Sequence, residues 1–491
     1  MRYHGSVPTF HVENFGCRAT QADGAALESQ FEFRGLTRAS AAQADLVILN
    51  TCTVTNSADR DARAAVRRVR RENPLARIIV TGCYAQRAPR EIAALPGVTC
   101  VIGNSHKHQL AEIALPILSD LGQRSTSSAG IHIVDSVRAS AGEGIAFVPV
   151  ASLTPEAPLF VSDIFAHTEL LAAPIFDSAG SHENDRTRPN LKVQDGCDNR
   201  CSFCVIPSVR GHSRSLPLPQ IIREVNTLVA AGYREVVISG INLGRWGRDL
   251  ASGFGTIEGL IREILSETQL EKLRISSVEP MDWSDELIGL VASSPRIAKH
   301  AHVPLQSGSD AVLRRMHRKY RPWHYREKIE KIRAAMPTAA IGADVMAGFP
   351  GETEAEFEAT RRLIAELPFT YLHVFTYSAR PGTPAAAVPD QIPVPIARER
   401  NRILRELAAE KKLAFMRSFV GEPLEAITLN VAHNGRDGEF TEALSDNFQK
   451  LCLKGQLEAN RWITAHIEGI EDGAFIGSLA GRAVPLLGLL S

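Results

Sequence analysis

The amino-acid sequence predicts an α/β protein in three parts: an N-terminal parallel-sheet α/β domain over residues 1–121, a partial (β/α)6 barrel over 189–418 and a small OB-like β-barrel over 419–491. Residues 122–188 read as a linker or insertion. Three observations carry this. Apolar strand-like runs alternate with helical periods through the first and middle portions, the pattern of successive βα units and a parallel sheet. Six such units fall between residues 191 and 417. The tail changes character, with five short β-like runs in about 70 residues separated by Asn-Gly, Asp-Gly and Asp-Asn turn signals.

In the first domain, strands at 9–15, 46–49 and 77–80 each precede a helical stretch, at 21–33, from about 57 and from about 89, and a helix at 109–118 ends the domain. The following segment holds Ser-Thr-Ser-Ser at 125–128, a proline-interrupted apolar stretch at 147–165 and a polar run at 178–189. It reads as a tether, although 159–165 is apolar enough to dock. The barrel strands are expected at 191–194, 235–239, 272–278, 300–305, 340–346 and 371–377. Helices are expected at 219–231, 256–267, 284–291, 324–335, 354–366 and 396–417. Such a barrel carries its site at the carboxyl ends of the strands. The tail strands, at 424–431, 439–443, 448–453, 462–468 and 475–479, suggest a nucleic-acid-binding module. A ligand-free cap is the alternative.

With 55 Lys+Arg against 55 Asp+Glu among 491 residues, the formal net charge is zero, and 44% of residues are apolar. That composition is globular rather than disordered or fibrous. No apolar stretch reaches the roughly 18 residues of a membrane span, and residues 1–15 lack an apolar signal core, so the expectation is a cytoplasmic protein with no membrane partner. Neutrality argues against wholesale coating of nucleic acid but leaves room for a local basic surface. Six arginines lie between Arg60 and Arg71, of which Arg60, Arg63, Arg67 and Arg71 share a helical face. Arg314, Arg315, Arg318, Lys319 and Arg321 form a second run. Each is either a solvated face or an RNA-docking surface.

The eight cysteines are informative. Cys197, Cys201 and Cys204 form a CxxxCxxC loop just after the first barrel strand. Zinc is the ordinary reading of a cysteine cluster, but structural zinc wants four ligands, no second short pair follows, and His212 is the nearest further candidate. Three thiolates on one loop suit a 4Fe–4S cube with one iron left open to a chelating ligand. Cys17, Cys52 and Cys83 are spread along the chain, yet each sits just past a strand and before a helix. In a parallel sheet such positions converge on one edge, which makes a second three-thiolate cluster site the preferred reading over three unrelated core cysteines. Cys100 and Cys452 lie in apolar runs and read as core.

Three loops at the expected barrel face carry ligand-binding potential. In Gly348-Phe349-Pro350-Gly351-Glu352-Thr353 the glycines allow close backbone approach, and Glu352 either receives a cationic amine or caps the next helix. The segments from His302 to Ser309 and from Ser276 to Pro280 bring hydrogen-bonding side chains to the same face.

On these residues the chain resembles a known family. The CxxxCxxC loop with Phe203 before its last cysteine is similar to radical S-adenosylmethionine enzymes. The Cys17/Cys52/Cys83 arrangement and a TRAM-like tail narrow the resemblance to the methylthiotransferases. The segments Asn50-Thr51-Cys52-Thr53-Val54-Thr55, Thr81-Gly82-Cys83-Tyr84-Ala85-Gln86, Gln194-Asp195-Gly196-Cys197-Asp198-Asn199 and Tyr377-Ser378-Ala379-Arg380-Pro381-Gly382-Thr383 resemble the branch that modifies threonylcarbamoyladenosine beside the tRNA anticodon. Arg18-Ala19-Thr20-Gln21 departs from the family's usual Lys-x-Asn-Gln, and the linker is unusually long. The resemblance implies a radical SAM barrel, a TRAM domain and two 4Fe–4S clusters. It implies reductive cleavage of S-adenosylmethionine at the Cys197/Cys201/Cys204 cluster, and methylation by a second S-adenosylmethionine of sulfur held at Cys17/Cys52/Cys83. By the same resemblance Phe203, Gln306, Ser307, Gly348 and Glu352 are cofactor contacts. The implied partners are the tRNA anticodon stem-loop and a small electron-transfer protein of the flavodoxin or ferredoxin type. Branches acting on isopentenyladenosine or on a ribosomal-protein aspartate, and a non-catalytic iron–sulfur RNA-binding sensor, are the competing readings.

Overall fold

The structure, a computed structural model, describes residues 7–119, 157–167, 170, 187–250, 255–435 and 438–480. The Ser-Thr-Ser-Ser stretch at 125–128 and most of the polar run after 178 lie outside the described residues.

A first compact unit is built on one parallel sheet. β1 (Thr9–Asn14) leads into α1 (Arg18–Phe33), followed by the edge strand β2 (Thr37–Arg38), β3 (Leu46–Thr51) and α2 (Asn56–Glu72). Then come β4 (Arg77–Gly82), the short helices α3 (Cys83–Arg87) and α4 (Pro89–Ala93), β5 (Val98–Gly103) and α5 (Leu110–Ser119). The sheet order is β2-β1-β3-β4-β5-β6, where β6 is Leu159–Phe160. β3 is buried along its whole length, which is why it reads Leu-Val-Ile-Leu without alternation. β6 comes from the segment expected to be linker. It pairs in parallel with Val101 and Ile102 and covers an otherwise open sheet edge, so the unit continues to His167 rather than ending at 121.

A second unit runs from Thr168 onward. Its elements are β7 (Asn190–Asp195), α6 (Ile206–Arg210), the edge strand β8 (Arg214–Ser215), α7 (Leu218–Ala230), β9 (Glu235–Gly240), α8 (Ile257–Glu267), β10 (Lys272–Ile275) and α9 (Asp285–Ser293). They continue with β11 (His300–His302), α10 (Asp310–Arg315), α11 (Pro322–Ala335), β12 (Ala340–Ala347), α12 (Glu354–Glu366), β13 (Tyr371–Thr376) and α13 (Val394–Arg417). The six expected parallel strands all form, as the sheets β10-β9-β7-β8 and β11-β12-β13. The seam between them is crossed by Leu273 N–H to the Arg296 carbonyl (2.8 Å) and Val278 N–H to the His302 carbonyl (3.1 Å). Among the described residues β13 pairs only with β12, and β7 is flanked outward by the antiparallel β8, so the barrel is open as expected. The helices start where short hydroxyl side chains cap them: Thr256, Ser284, Ser309 and Thr353 accept N–H groups of α8, α9, α10 and α12. At α12 Thr353 and Glu356 form a reciprocal capping box. α10 was not anticipated from sequence, although Ser309-Asp310 is its start signal.

The tail forms β14 (Pro423–Gly435), β15 (Gly438–Ser445), β16 (Lys450–Lys454), β17 (Trp462–Glu471) and β18 (Ala474–Leu479), closed in the order β14-β15-β16-β18-β17. Asp472 (φ 47°) and Gly473 (φ 72°) are both left-handed, as a two-residue turn from β17 to β18 requires. Leu451, Leu453, Ile467 and Phe475 fill the interior together with Met416 and Phe419 at the end of α13. The small barrel also caps the larger one at the amino ends of its strands. Arg274 Nη1 donates to the Asp446 carbonyl (3.1 Å), Lys272 Nζ pairs with Asp446 Oδ1 (3.2 Å), and the Phe448 ring lies 4.6 Å from that of His300. Among the described residues no helix is long and apolar enough to cross a membrane.

Candidate active site

The CxxxCxxC loop leaves β7 at its carboxyl end and is clamped from below. Gly196 sits at φ +73°, and a Cβ there would come 1.9 Å from the His212 carbonyl oxygen. Gln194 Nε2 donates to the Gly196 carbonyl (2.8 Å) while its Oε1 accepts from Asn242 N–H (2.7 Å). Asp195 Oδ1 accepts from Gly196 N–H (2.8 Å) and Arg210 Nη1 (2.9 Å), and its Oδ2 accepts from Lys192 Nζ (2.8 Å). Burial opposes the charge on Asp195, but Arg210 and Lys192 hold its carboxyl well below the usual carboxylate range. The far side of the loop is tied by Ser202 Oγ to the Arg315 carbonyl (2.7 Å).

Donors converge on the sulfurs. Asn199 N–H and Asn242 Nδ2 approach Cys197 Sγ (3.4 and 3.7 Å), and Arg318 Nη1 approaches Cys201 Sγ (3.2 Å). N–H donors of this kind offset the negative charge of thiolates and tune a bound iron–sulfur cluster. Burial pushes the Cys204 thiol up to about 12 and raises that of Cys197, so cluster assembly releases protons there. Neither cysteine triplet draws three sulfurs within 4.8 Å of one another; among the described residues only His302, Asp344 and His373 do so with their ligating atoms. His212, the nearest candidate for a fourth ligand, is paired with Asp198 instead (2.7 Å).

A pocket beside the loop is lined by Asn199, Arg200, Cys201, Arg245, Glu279, Met281, His317, Arg318, Lys319 and Tyr320. Arg318, expected within an exposed basic run, is 7% exposed and paired with Glu279. Burial works against its charge, but Tyr320, Glu279 and Cys201 keep the guanidinium firmly protonated. The rest of that run is dispersed, Arg314 and Arg321 pairing with Asp310 and Arg315 with Glu356. Asn242 is the site residue that sequence reasoning passed over, although it follows the carboxyl end of β9; Glu279 lies in the Ser276–Pro280 loop expected at this face, and Arg318 was read only as part of a basic run.

The other expected contacts divide. Gln306 takes a left-handed backbone (φ 62°), is 8% exposed, and keeps its Oε1 buried without a hydrogen-bond partner. Phe203 packs edge-on to Phe349, with ring centroids 6.5 Å apart. The Ser307 hydroxyl is engaged by Thr360 Oγ1 (3.1 Å) and Ser309 N–H (3.2 Å), which makes it a loop tie. Gly348 lets α13 approach, since a Cβ would lie 2.5 Å from that of Ala397. Glu352, expected to receive an amine, is 2% exposed and already accepts from Gly348 N–H (2.9 Å) and Arg400 Nη1 (2.9 Å), leaving Oε1 as its buried oxygen without a partner. Nor does it cap α12, a role taken by Thr353 and Glu356.

In the first unit, Cys17, Cys52 and Cys83 follow the adjacent strands β1, β3 and β4. Asn14 pairs with Asn50, and Thr51 with Gly82, so Cys52 and Cys83 leave neighbouring strands at the same level, about 4.8 Å apart across the ladder. Gly16 (φ +97°) lies so close that a Cβ would meet Cys52 Sγ at 2.7 Å. Cys52 and Cys83 are buried and Cys17 is exposed. Thr20 Oγ1 lies 3.5 Å from Cys17 Sγ, and Asn104 Nδ2 donates to Cys83 Sγ (3.5 Å). The three cysteines thus gather at one sheet edge, and their donor set fits a second cluster. On α2, Arg63 pairs with Glu91 and Arg68 with Glu13, whereas Arg60, Arg67, Arg70 and Arg71 are exposed. Cys100 is fully buried, and Cys452 is half-buried on β16.

A CxxxCxxC loop at the carboxyl end of the first strand of an open six-stranded βα barrel defines a radical S-adenosylmethionine enzyme. Residues 191–364 match the Radical SAM superfamily, and residues 9–103 match a family described as "Uncharacterized protein family UPF0004". The threonylcarbamoyladenosine tRNA methylthiotransferase MtaB of Bacillus subtilis is 35% identical over 451 residues, 91% of each chain. The tRNA-2-methylthio-N(6)-dimethylallyladenosine synthase of Novosphingobium aromaticivorans is 32% identical, covering 97% of this chain and 98% of that one. Among solved structures, the radical S-adenosylmethionine methyltransferase TsrM of Kitasatospora setae shares the fold (TM-score 0.51, 16% identity, 78% of this chain and 74% of that one). The chain belongs to the radical S-adenosylmethionine tRNA methylthiotransferases. Its class implies S-adenosylmethionine and a 4Fe–4S cluster as cofactors and tRNA as substrate.

Because Gly196 alone lets the loop pass His212, Gly196→Ala is expected to displace Cys197 and to lower reductive S-adenosylmethionine cleavage roughly 10–100-fold. Cleavage assayed with dithionite as reductant checks this; an unchanged rate refutes the clamp.

Proposed function

We propose that the enzyme methylthiolates carbon 2 of N6-threonylcarbamoyladenosine next to the anticodon of tRNA, using two clusters, one at Cys197/Cys201/Cys204 and one at Cys17/Cys52/Cys83. The observation that carries the two-cluster reading is the gathering of three cysteines at the ends of three adjacent parallel strands, β1, β3 and β4. The name of the Bacillus subtilis relative supports the substrate assignment. The Novosphingobium aromaticivorans relative favours dimethylallyl-type adenosine as the second reading.

When bound, S-adenosylmethionine and the clusters supply the radical, the sulfur and the methyl group. The chain's own residues hold and orient them. Asn242, Asn199 and Arg318 donate to the cysteine sulfurs and stabilise their charge. The Asn242 Oδ1 and Gln306 Oε1 oxygens, both buried without partners, are acceptors for the ammonium and hydroxyl groups of the cofactor. Ser307, Gly348 and Glu352 fix the loops that carry these groups, and Phe203 and Phe349 wall the site from water. The basic pocket rim of Arg200, Arg245 and Lys319 attracts the RNA backbone, and the small barrel is a second RNA-binding element. A flavodoxin- or ferredoxin-type protein delivers the electron, in the cytoplasm.

Mass spectrometry of nucleosides in tRNA from a strain lacking the gene tests the assignment. The 2-methylthio derivative of threonylcarbamoyladenosine is expected to vanish and its unmodified parent to accumulate. Loss of the dimethylallyl product instead transfers the assignment to the second reading.

A further inference from the structure

A cluster of ligating side chains lies on strands β11, β12 and β13 and uses no cysteine. His302 Nε2 lies 3.2 Å from Asp344 Oδ2, and His373 Nδ1 lies 3.3 Å from Asp344 Oδ1. All three ligating atoms fall within 4.8 Å of one another. The arrangement is built by the fold. Asp344 and His373 are register partners, as are His302 and Gly342, so alternate residues of three neighbouring strands turn to one face. Gly342 leaves room there for Tyr371, whose ring would sit 2.0 Å from any Cβ at that position. Tyr371 in turn places its hydroxyl 3.0 Å from His302 Nδ1 and 2.7 Å from His300 Nε2. The second nitrogen of His302 is thereby held, and Nε2 is aimed at Asp344. Orienting a ligating imidazole through its other nitrogen is the outer-shell arrangement that metal sites use.

We propose that His302, Asp344 and His373 bind one divalent first-row transition ion. Two imidazoles and one carboxylate form the ligand set of zinc and non-haem iron or manganese sites that keep open positions. Ligand bonds of about 2.0–2.2 Å place ligating atoms at most about 4.2 Å apart, so closure around an ion needs shifts below about 1 Å. His302 and Asp344 are 9% and 29% exposed in their side chains while His373 is 62% exposed, which gives an ion an entry path from the His373 side. The proposal does not depend on the tRNA substrate or on the second cysteine cluster.

The test uses the full-length protein with its iron–sulfur clusters reconstituted under anaerobic conditions and freed of other divalent ions by dialysis. Mn2+ is the probe, because thiolates bind it poorly, and free Mn2+ is read by electron paramagnetic resonance. One Mn2+ per chain is expected to bind saturably and to be displaced by Zn2+, which such donors bind more tightly. His373→Ala, at an exposed side chain that folding does not need, and Asp344→Asn should each abolish saturable binding. Tyr371→Phe should weaken it about tenfold while leaving the stoichiometry at one. Absence of stoichiometric binding in the unmodified protein, or binding retained by either ligand variant, overturns the site and leaves a hydrogen-bonded trio.

Discussion

Cys52→Ala is expected to abolish methylthiolation of tRNA while reductive cleavage of S-adenosylmethionine continues. Cys52 follows β3, which lies between β1 and β4, so it is the central thiol of the first triplet, and it is 4% exposed. Removing one of three thiolates leaves two, too few to hold a cluster that keeps an open iron. The CxxxCxxC loop is held by its own clamp of Gln194, Asp195 and Arg210 and shares no cysteine with the first triplet. The truncation is small and leaves the sheet intact. Anaerobically reconstituted variant protein should carry about four rather than about eight irons per chain. Product formation from tRNA should fall below detection while 5′-deoxyadenosine still accumulates. Methylthiolation at the unmodified rate would remove Cys52 from the chemistry.

Asp195→Asn should destabilise the barrel unit by about 3 kcal/mol, because it strips a carboxylate from two buried cations. Asp195 is 6% exposed, Lys192 0% and Arg210 2%, so water does not replace the lost charge. The same substitution loosens Gly196, whose N–H Asp195 accepts, and the cluster loop with it. The pH dependence has a definite sign. The folded-state pKa of Asp195 is depressed, so its stabilisation is complete above the unfolded value of about 3.9 and is lost as pH falls below it. The gap in unfolding free energy between the two proteins, measured in urea, should therefore be largest near neutrality and narrow toward pH 3 or below. A constant gap across that range would assign the cost to packing rather than to charge.

The sequence by itself determined the parts that depend on local pattern. The thirteen described α/β and barrel strands and the five tail strands include every one expected from alternation and turn residues, and the open barrel and closed small barrel follow from their order. The six cysteines proposed as ligands were legible because they follow strands, and a parallel sheet delivers such positions to one edge whatever the side chains around them. The hydroxyl caps at Thr256, Ser284 and Thr353 act within one turn of their helices, but the sequence reading named none of them and offered Glu352 for the last.

Tertiary structure decided what depends on partners distant in the chain. Leu159–Phe160 reads as linker until β5 offers it an edge. Arg318 reads as one of a basic run until folding places it 117 residues away against Cys201, and Glu352 as a free carboxylate until α13 brings Arg400 to it. The same holds for His302, Asp344 and His373, which are unremarkable along the chain and meet only through strand register. Backbone preference is written residue by residue, whereas the charge state and accessibility of a side chain are set by whatever the fold packs against it.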